Sequence, residues 1–162
     1  MGIIGFFKKI GGFFKHVFSG MVGIFIQDFE DITEEIVRLL VLADIPGSAK
    51  FKTALAVLEG YALKAGKSFI VHAARLLIEM TVANINGEDL KKIADEGLSY
   101  ALEAVDEVNV MDLFDDDERR DKAFNILWNK LIDVGKNELA TTNIIHVLIE
   151  LAVAQRKKEA AL

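Results

Sequence analysis

Side chains that could support catalysis or metal binding are few in this chain and poorly grouped. His72 and His146 have no paired carboxylates nearby, so they make a poor metal site, and we interpret them as core or interface residues. The acidic run 115–118 lacks the alternating ligands, the central glycine and the final glutamate of a calcium loop. Acids at the start of a helix are stabilised by its dipole. We therefore predict no metal site.

Glu79 and Glu150 recur at matching places on two apolar stretches. A carboxylate in such a stretch is expected to pair with a lysine or to cap a neighbouring helix rather than to act as an acid or base. The sequence holds no cysteine, nucleophile–base pair, glycine-rich phosphate loop or zinc motif. We predict a protein that is not an enzyme and has no cofactor.

Recognition chemistry is concentrated in residues 1–27, which hold six of the 11 phenylalanines, six of the 12 glycines, three lysines and no acid. Large apolar side chains recur there every three or four residues, the period of a helix, and glycine and lysine fill most of the opposite side. This pattern predicts a basic amphipathic helix that contacts a membrane or a partner. The predicted contact residues are Phe6, Phe7, Lys8, Lys9, Phe13, Phe14, Lys15, Phe18 and Phe25.

Two environments suit such a segment. At a lipid surface the phenylalanines enter the acyl boundary and the lysines meet anionic headgroups. In a protein groove, or against copies of itself, the same face becomes a buried interface. A transmembrane span is disfavoured because every 20-residue window includes Lys15 and His16. The interspersed lysines also argue against a secretory signal.

Composition limits the remaining classes. A chain of 162 residues is one domain, or one domain with an arm, and an apolar fraction of 52% favours an oligomer or a membrane-associated protein. The net charge is −6, yet residues 1–27 are basic, so residues 28–162 form an acidic body. An acidic body argues against nucleic acid as a partner.

The body has the pattern of an all-α protein. We predict an amphipathic N-terminal helix, residues 1–27, followed by a bundle of about six helices over 28–162. The bundle comprises a hairpin at 48–86, an acidic connector at 87–118 and a second hairpin at 119–160. The connector is itself expected to be helical over about residues 89–105, and to join the two hairpins. Asp31, followed three residues later by Glu34, resembles a capping box and predicts a new helix after residue 27.

The two predicted hairpins resemble each other. Residues 54–67 align without gaps on residues 123–136, with identities that include the Gly-Lys pairs at 66–67 and 135–136. After a two-residue length difference, Leu-Ile-Glu recurs at 77–79 and 148–150. Either the hairpin has been duplicated, or two antiparallel helix pairs have converged on similar patterns.

The last 40 residues also resemble a known family. The segments 117–124, 139–142 and 148–153, together with Gly135 and Ile145, are similar to the C-terminal hairpin of phage holins of the LLH type. They also resemble small phage proteins that join this hairpin to an amphipathic start rich in Phe, Lys and Gly. Those holins carry a clean N-terminal transmembrane helix, whereas this segment contains Lys8, Lys9, Lys15 and His16. The resemblance implies a bacteriophage origin.

Together these patterns predict a non-enzymatic bacteriophage virion-associated protein of the ejection or internal type. It would form a homo-oligomer in the virion or at the host inner-membrane surface, with membrane lipid or other virion proteins as partners. One alternative is a holin-like protein that permeabilises the membrane. The other is a structural virion subunit in which residues 1–27 join the protomers.

Overall fold

A computed structural model describes residues 20–43, 47–111 and 116–160. Every regular element in these ranges is a helix, which confirms the all-α class and the predicted bundle. The described ranges contain six α-helices and one short 3-10 turn, Asn137–Leu139. The helices are α1 Gly20–Val41, α2 Gly47–Lys64, α3 Val71–Ile85, α4 Leu90–Asn109, α5 Asp116–Asp133 and α6 Thr142–Ala160.

The fold consists of two similar units of three helices each, so each unit has one helix more than the predicted hairpin. Within the first unit (residues 20–85), α1 packs on α2 and α3, and within the second unit (residues 90–160), α4 packs on α5 and α6 in the same way. The two units therefore extend the similarity of the hairpins to a preceding helix. A whole repeated unit is more simply explained by duplication than by convergence of two hairpins.

Buried positions recur at the same spacing in both units. Ala54, Leu58 and Ala62 of α2 correspond to Ala123, Leu127 and Leu131 of α5, and all six are buried. Each of the eight buried residues of α3 has a buried counterpart in α6. In α1 and α4 the buried stripe also matches, pairing Phe25, Ile26, Phe29, Thr33, Ile36 and Val37 with Ile93, Ala94, Gly97, Ala101, Ala104 and Val105.

The same turn ends the second helix of each unit. Gly66 and Gly135 have positive φ angles of 68° and 78°, a conformation that glycine adopts without a Cβ penalty. In each turn the amide of the following lysine donates to a carbonyl five residues back, at 2.9 Å from Lys67 and 2.8 Å from Lys136. This Schellman geometry satisfies the last carbonyls of the helix and directs the chain into α3 or α6.

The two units meet mainly through α3 and α6. These helices lie at the centre of the molecule, and their contact is more extensive than any other pair of helices makes in the described ranges. Leu76, Leu77, Ile145 and Leu148 are completely buried in this region. Because the same face of each unit is used, the contact resembles the isologous interface of a symmetric dimer.

One predicted helix start is wrong. α1 runs without interruption from Gly20 to Val41, so no helix starts near Asp31 and no break falls between residues 27 and 28. The helix predicted within the acidic segment 87–118 is present as α4, and its buried stripe of small residues packs on α5 and α6, so that it belongs to the second unit. Residues 1–19, which hold most of the predicted amphipathic helix, lie outside the described residues.

Because the two units are equivalent, substitutions at equivalent buried positions should lower the free energy of unfolding by similar amounts. Leu58→Ala and Leu127→Ala each remove a fully buried side chain at the same place in a unit. We expect each to lower the free energy of unfolding by about 2–5 kcal/mol in urea denaturation. Leu63→Ala is the control, since Leu63 is 73% exposed, and should cost less than about 0.5 kcal/mol. A large loss at one leucine only would contradict the equivalence of the units.

Candidate functional site

Of the nine residues predicted to contact a membrane or partner, Phe25 alone is in the described part of the chain. Its side chain is buried, with its ring centroid 4.7 Å from that of Phe29 and 6.0 Å from that of Phe69. Phe25 is therefore a core residue, which corrects its assignment to the contact surface. The periodicity could not separate the two roles, because a membrane-facing stripe and a core-facing stripe have the same spacing.

The described residues bring a polar cluster together where α3 and α6 meet. Its centre is formed by Glu79 of α3 and Glu150 of α6, which occupy equivalent positions in the two units. The two carboxylates are close enough for the charge of Glu150 to raise the pKa of Glu79. A buried carboxylate needs a cation, a hydrogen bond or a proton to offset its lost hydration. The two glutamates meet this requirement in different ways.

Glu150 is paired with Arg120 of α5. Arg120 Nε lies 2.6 Å from Glu150 Oε1, and Arg120 Nη2 lies 3.4 Å from Oε2. The exposed fractions of the two side chains are 16% for Arg120 and 6% for Glu150, so water competes little for this pair. A two-point contact of this kind fixes the orientation of both groups. The sequence predicted a lysine or a helix cap as the partner, and the structure shows an arginine.

Glu79 has no such partner, because Phe51 of α2 stands at the position equivalent to Arg120 of α5. Arg75, one turn before Glu79, lies over the Phe51 ring at 5.4 Å from its centroid and donates to Asp117 at 3.1 Å. Burial and the charge of Glu150 raise the pKa of Glu79 to about 8, although Arg75 acts in the opposite direction. We therefore predict that the Glu79 carboxyl is protonated at neutral pH.

Two histidines flank the cluster. Burial, together with the charges of Lys157 and Arg120, lowers the pKa of His72. Burial also lowers the pKa of His146, whose ring lies 5.1 Å from that of Phe124. Both shifts favour the neutral form of the imidazole.

Glu79 can hold a proton between the two units, so the stability of their packing should depend on pH. In the described ranges, no group of three histidine, aspartate or glutamate side chains could hold a metal ion. Sequence reasoning singled out Glu79 and Glu150 but missed Arg75 and Arg120. Arg75 stands four residues before Glu79 in an otherwise apolar helix, and that spacing was the available signal.

Large exposed apolar side chains are concentrated on the first unit. Leu39, Val41 and Leu42, at the C-terminal end of α1, are 71%, 55% and 86% exposed, and Leu63 at the end of α2 is 73% exposed. No helix of the described residues is both long enough and apolar enough to cross a membrane.

Comparison of the chain with protein-family models, curated proteins and solved structures finds no match.

The raised pKa of Glu79 gives a pH-dependent prediction. As pH rises from 4.5 to 8, the unfolded chain releases the Glu79 proton while the folded chain keeps it, so this group makes folding progressively less favourable. Glu79→Gln removes that loss. We expect the variant to gain on the order of 4 kcal/mol in unfolding free energy at pH 8 and little at pH 4.5, measured by urea denaturation.

Glu59→Gln, at an exposed position of α2, is the control and should leave the pH profile unchanged. Glu30, which is buried in α1 and has a pKa raised to about 7 by burial and by Asp31, contributes a similar slope at lower pH in every variant. A Glu79→Gln protein that is less stable than wild type at pH 8 would contradict the protonated state.

Arg120→Met tests the other half of the cluster. It leaves the Glu150 carboxylate buried without its cation, and we expect a loss of about 3–5 kcal/mol of unfolding free energy at pH 8. Adding Glu150→Gln should recover part of the loss, because the remaining amide carries no charge. Arg119→Met, at the neighbouring exposed position, should cost less than about 1 kcal/mol. Equal losses at Arg119 and Arg120 would argue against a buried pair.

Proposed function

We propose that this protein is a non-enzymatic, virion-associated protein of a bacteriophage whose N-terminal segment binds a membrane surface. The proposal rests on one observation. Residues 6–18, with five phenylalanines and three lysines, precede α1, and the next aromatic residues, Phe25 and Phe29, are buried in the core. Phe25, Ile26 and Phe29 fix α1 in the body. In this proposal the apolar stripe changes role near Gly20, and residues 6–18 contact an external partner.

Lipid is the partner that suits the chemistry of this segment. Burying phenylalanine yields about 25 cal/mol per Å² of apolar surface, so a few rings supply several kcal/mol. Lysines near an anionic surface add about 1 kcal/mol each. Together these contributions support reversible binding, and several copies in an oligomer would multiply its strength through avidity.

The charge of the body supports a defined orientation. Residues 87–121 carry 13 acids and four bases, and most of these acids lie on α4 and the first turns of α5. An anionic surface repels this second unit and attracts the basic segment. The segment precedes the first unit in the chain, so the first unit would lie nearer the lipid. A virion or host inner-membrane location is consistent with this arrangement.

A structural role in the virion is the second candidate, and the exposed leucines of the first unit favour it. Leu39, in the last turn of α1, and Leu42, just after the helix ends, are three residues apart, and both are largely exposed. Exposed apolar side chains that lie together are typical of surfaces that another protein covers. In this case residues 6–18 would contribute to contacts between protomers rather than to lipid binding.

Substituting the lysines tests the membrane proposal. We expect Lys8→Gln, Lys9→Gln and Lys15→Gln together to weaken binding to vesicles containing phosphatidylglycerol by about 100-fold, because each lysine contributes about 1 kcal/mol. Binding is measured by co-sedimentation at low salt. The control replaces Lys52, Lys64 and Lys91, three exposed lysines of the body, with glutamine and should bind as wild type does.

The phenylalanines distinguish the two candidates. Serine at positions 6, 7, 13, 14 and 18 should abolish vesicle binding and leave the mass in solution unchanged, as determined by light scattering. If neither set of variants changes vesicle binding and the serine variant has a lower mass, the segment is an assembly interface and the membrane proposal fails.

A further inference from the structure

The outer face of α2 is formed by Ala56, Val57, Gly60 and Tyr61. All four residues are exposed, whereas the buried residues of α2 lie on the opposite side of the helix. Val57 is 37% and Tyr61 45% exposed, and neither they nor the two small residues carry a charge. This face of the first unit is therefore apolar and is left uncovered by the rest of the described chain.

Gly60, at the centre of this face, has no role in the packing of the described chain. Glycine within a helix costs about 1 kcal/mol relative to alanine. The φ angle of Gly60 is not positive, and a Cβ at this position would meet no atom within 4 Å. At Gly97 of α4, by contrast, a Cβ would lie 2.7 Å from Leu148 Cδ1. Close packing within the chain explains Gly97, whereas the space over Gly60 is open to another molecule.

The second unit shows that the fold does not need this apolar face. Its equivalents of Ala56, Gly60 and Tyr61 are polar or charged, namely Asn125, Asn129 and Lys130. Lys130 of α5 lies 2.8 Å from Glu107 of α4, and the α1 residue equivalent to Glu107 is Leu39, which is 71% exposed. An ion pair in the second unit thus corresponds to two exposed apolar or aromatic side chains in the first.

The spacing of the four residues gives the face the shape of a ridge beside a groove. Val57 and Tyr61 are one turn apart and form the ridge, and Ala56 and Gly60, also one turn apart, form the adjoining groove. Rows of this spacing on one helix pack into grooves of the same spacing on another. Because α2 carries both features, a second copy of α2 is complementary to it.

The distribution of charge also favours contact between first units. Residues 20–85 carry eight acids and six bases, whereas residues 90–160 carry 15 acids and ten bases. Burial raises the pKa of two acids of the first unit, Glu30 and Glu79, which brings that unit close to neutral. Two first units can therefore approach each other with little repulsion, while two second units repel each other.

We propose that two copies of this chain associate through the outer faces of their α2 helices, about a two-fold axis near Gly60. Val57 and Tyr61 of each copy lie over Ala56 and Gly60 of the other, which makes the contact isologous. A lipid surface fits this face less well, because interfacial helices insert large apolar side chains and the centre of this face has only small ones. The contact gives the predicted homo-oligomer a defined interface, does not involve residues 6–18 and goes beyond the proposed function.

Light scattering of the full chain without lipid, at protein concentrations from about 1 to 200 µM, tests the interface. We expect the mass to rise towards twice the 17.9 kDa of one chain. Gly60→Glu fills the groove and places two like charges near the axis, so it should weaken dimerisation at least about tenfold. The open space at Gly60 and the higher helix propensity of glutamate preserve the fold, which urea denaturation verifies. Asn129→Glu, at the equivalent position of the second unit, is the matched control and should dimerise as wild type does.

Cross-linking locates the contact directly, because the chain has no cysteine of its own. A residue near a two-fold axis meets its own copy, so Gly60→Cys should form a disulfide-linked dimer on mild oxidation. Asn129→Cys should remain largely unlinked under the same conditions.

A wild-type chain that stays monomeric at every concentration would overturn the proposal. Equal effects of Gly60→Glu and Asn129→Glu on the dimer would do so too, as would a dimer that depends only on the phenylalanines of residues 6–18. A monomer whose binding to vesicles is weakened by Gly60→Glu would assign the face to lipid instead. The scattering experiment contains no vesicles, so failure of the dimer is distinguishable from failure of the membrane contact.

Discussion

The packing of α3 against α6 is the contact on which the rest of the structure depends. It buries the central leucines of both units and also brings the half-buried Glu79 close to the buried Glu150. Two carboxylates cannot both be charged there without compensation. Arg120 neutralises one, and a retained proton neutralises the other. The interface is therefore symmetric in its apolar contacts and asymmetric in its charges.

That asymmetry separates the roles of the two units. Phe51 gives the first unit an aromatic side chain at the position where the second unit has Arg120, which is bound to Glu150. The first unit follows the basic segment and has exposed leucines at and just after the end of α1. A repeated scaffold has thus acquired different side chains at equivalent positions.

Much of the fold could be predicted from the sequence, because its signals are local. Gly66 and Gly135 end helices in a conformation with positive φ that glycine favours. This local signal allowed both hairpins to be predicted from the sequence. The Asp31–Glu34 pattern wrongly predicted the start of a helix. Phe29 and Thr33 are both buried in the core, and this packing keeps the chain helical through the position of the predicted start. The helix α4 was predicted, but its packing within the second unit was not, because its buried stripe contains small residues such as Gly97, Ala101 and Ala104, which give only a weak hydrophobic pattern. Which cation reaches Glu150 depends on contacts distant in sequence.

The ionisation of Glu79 is the most direct test of this account. A carbon-13 NMR titration of the protein labelled at glutamate carboxyls, with the Glu79 signal assigned from Glu79→Gln, measures it in the folded chain. The account predicts a midpoint near pH 8, shifted to lower pH in Glu150→Gln because the neighbouring charge is gone. A Glu79 midpoint near 4.5, unaffected by Glu150, would contradict the burial of the two carboxylates between α3 and α6.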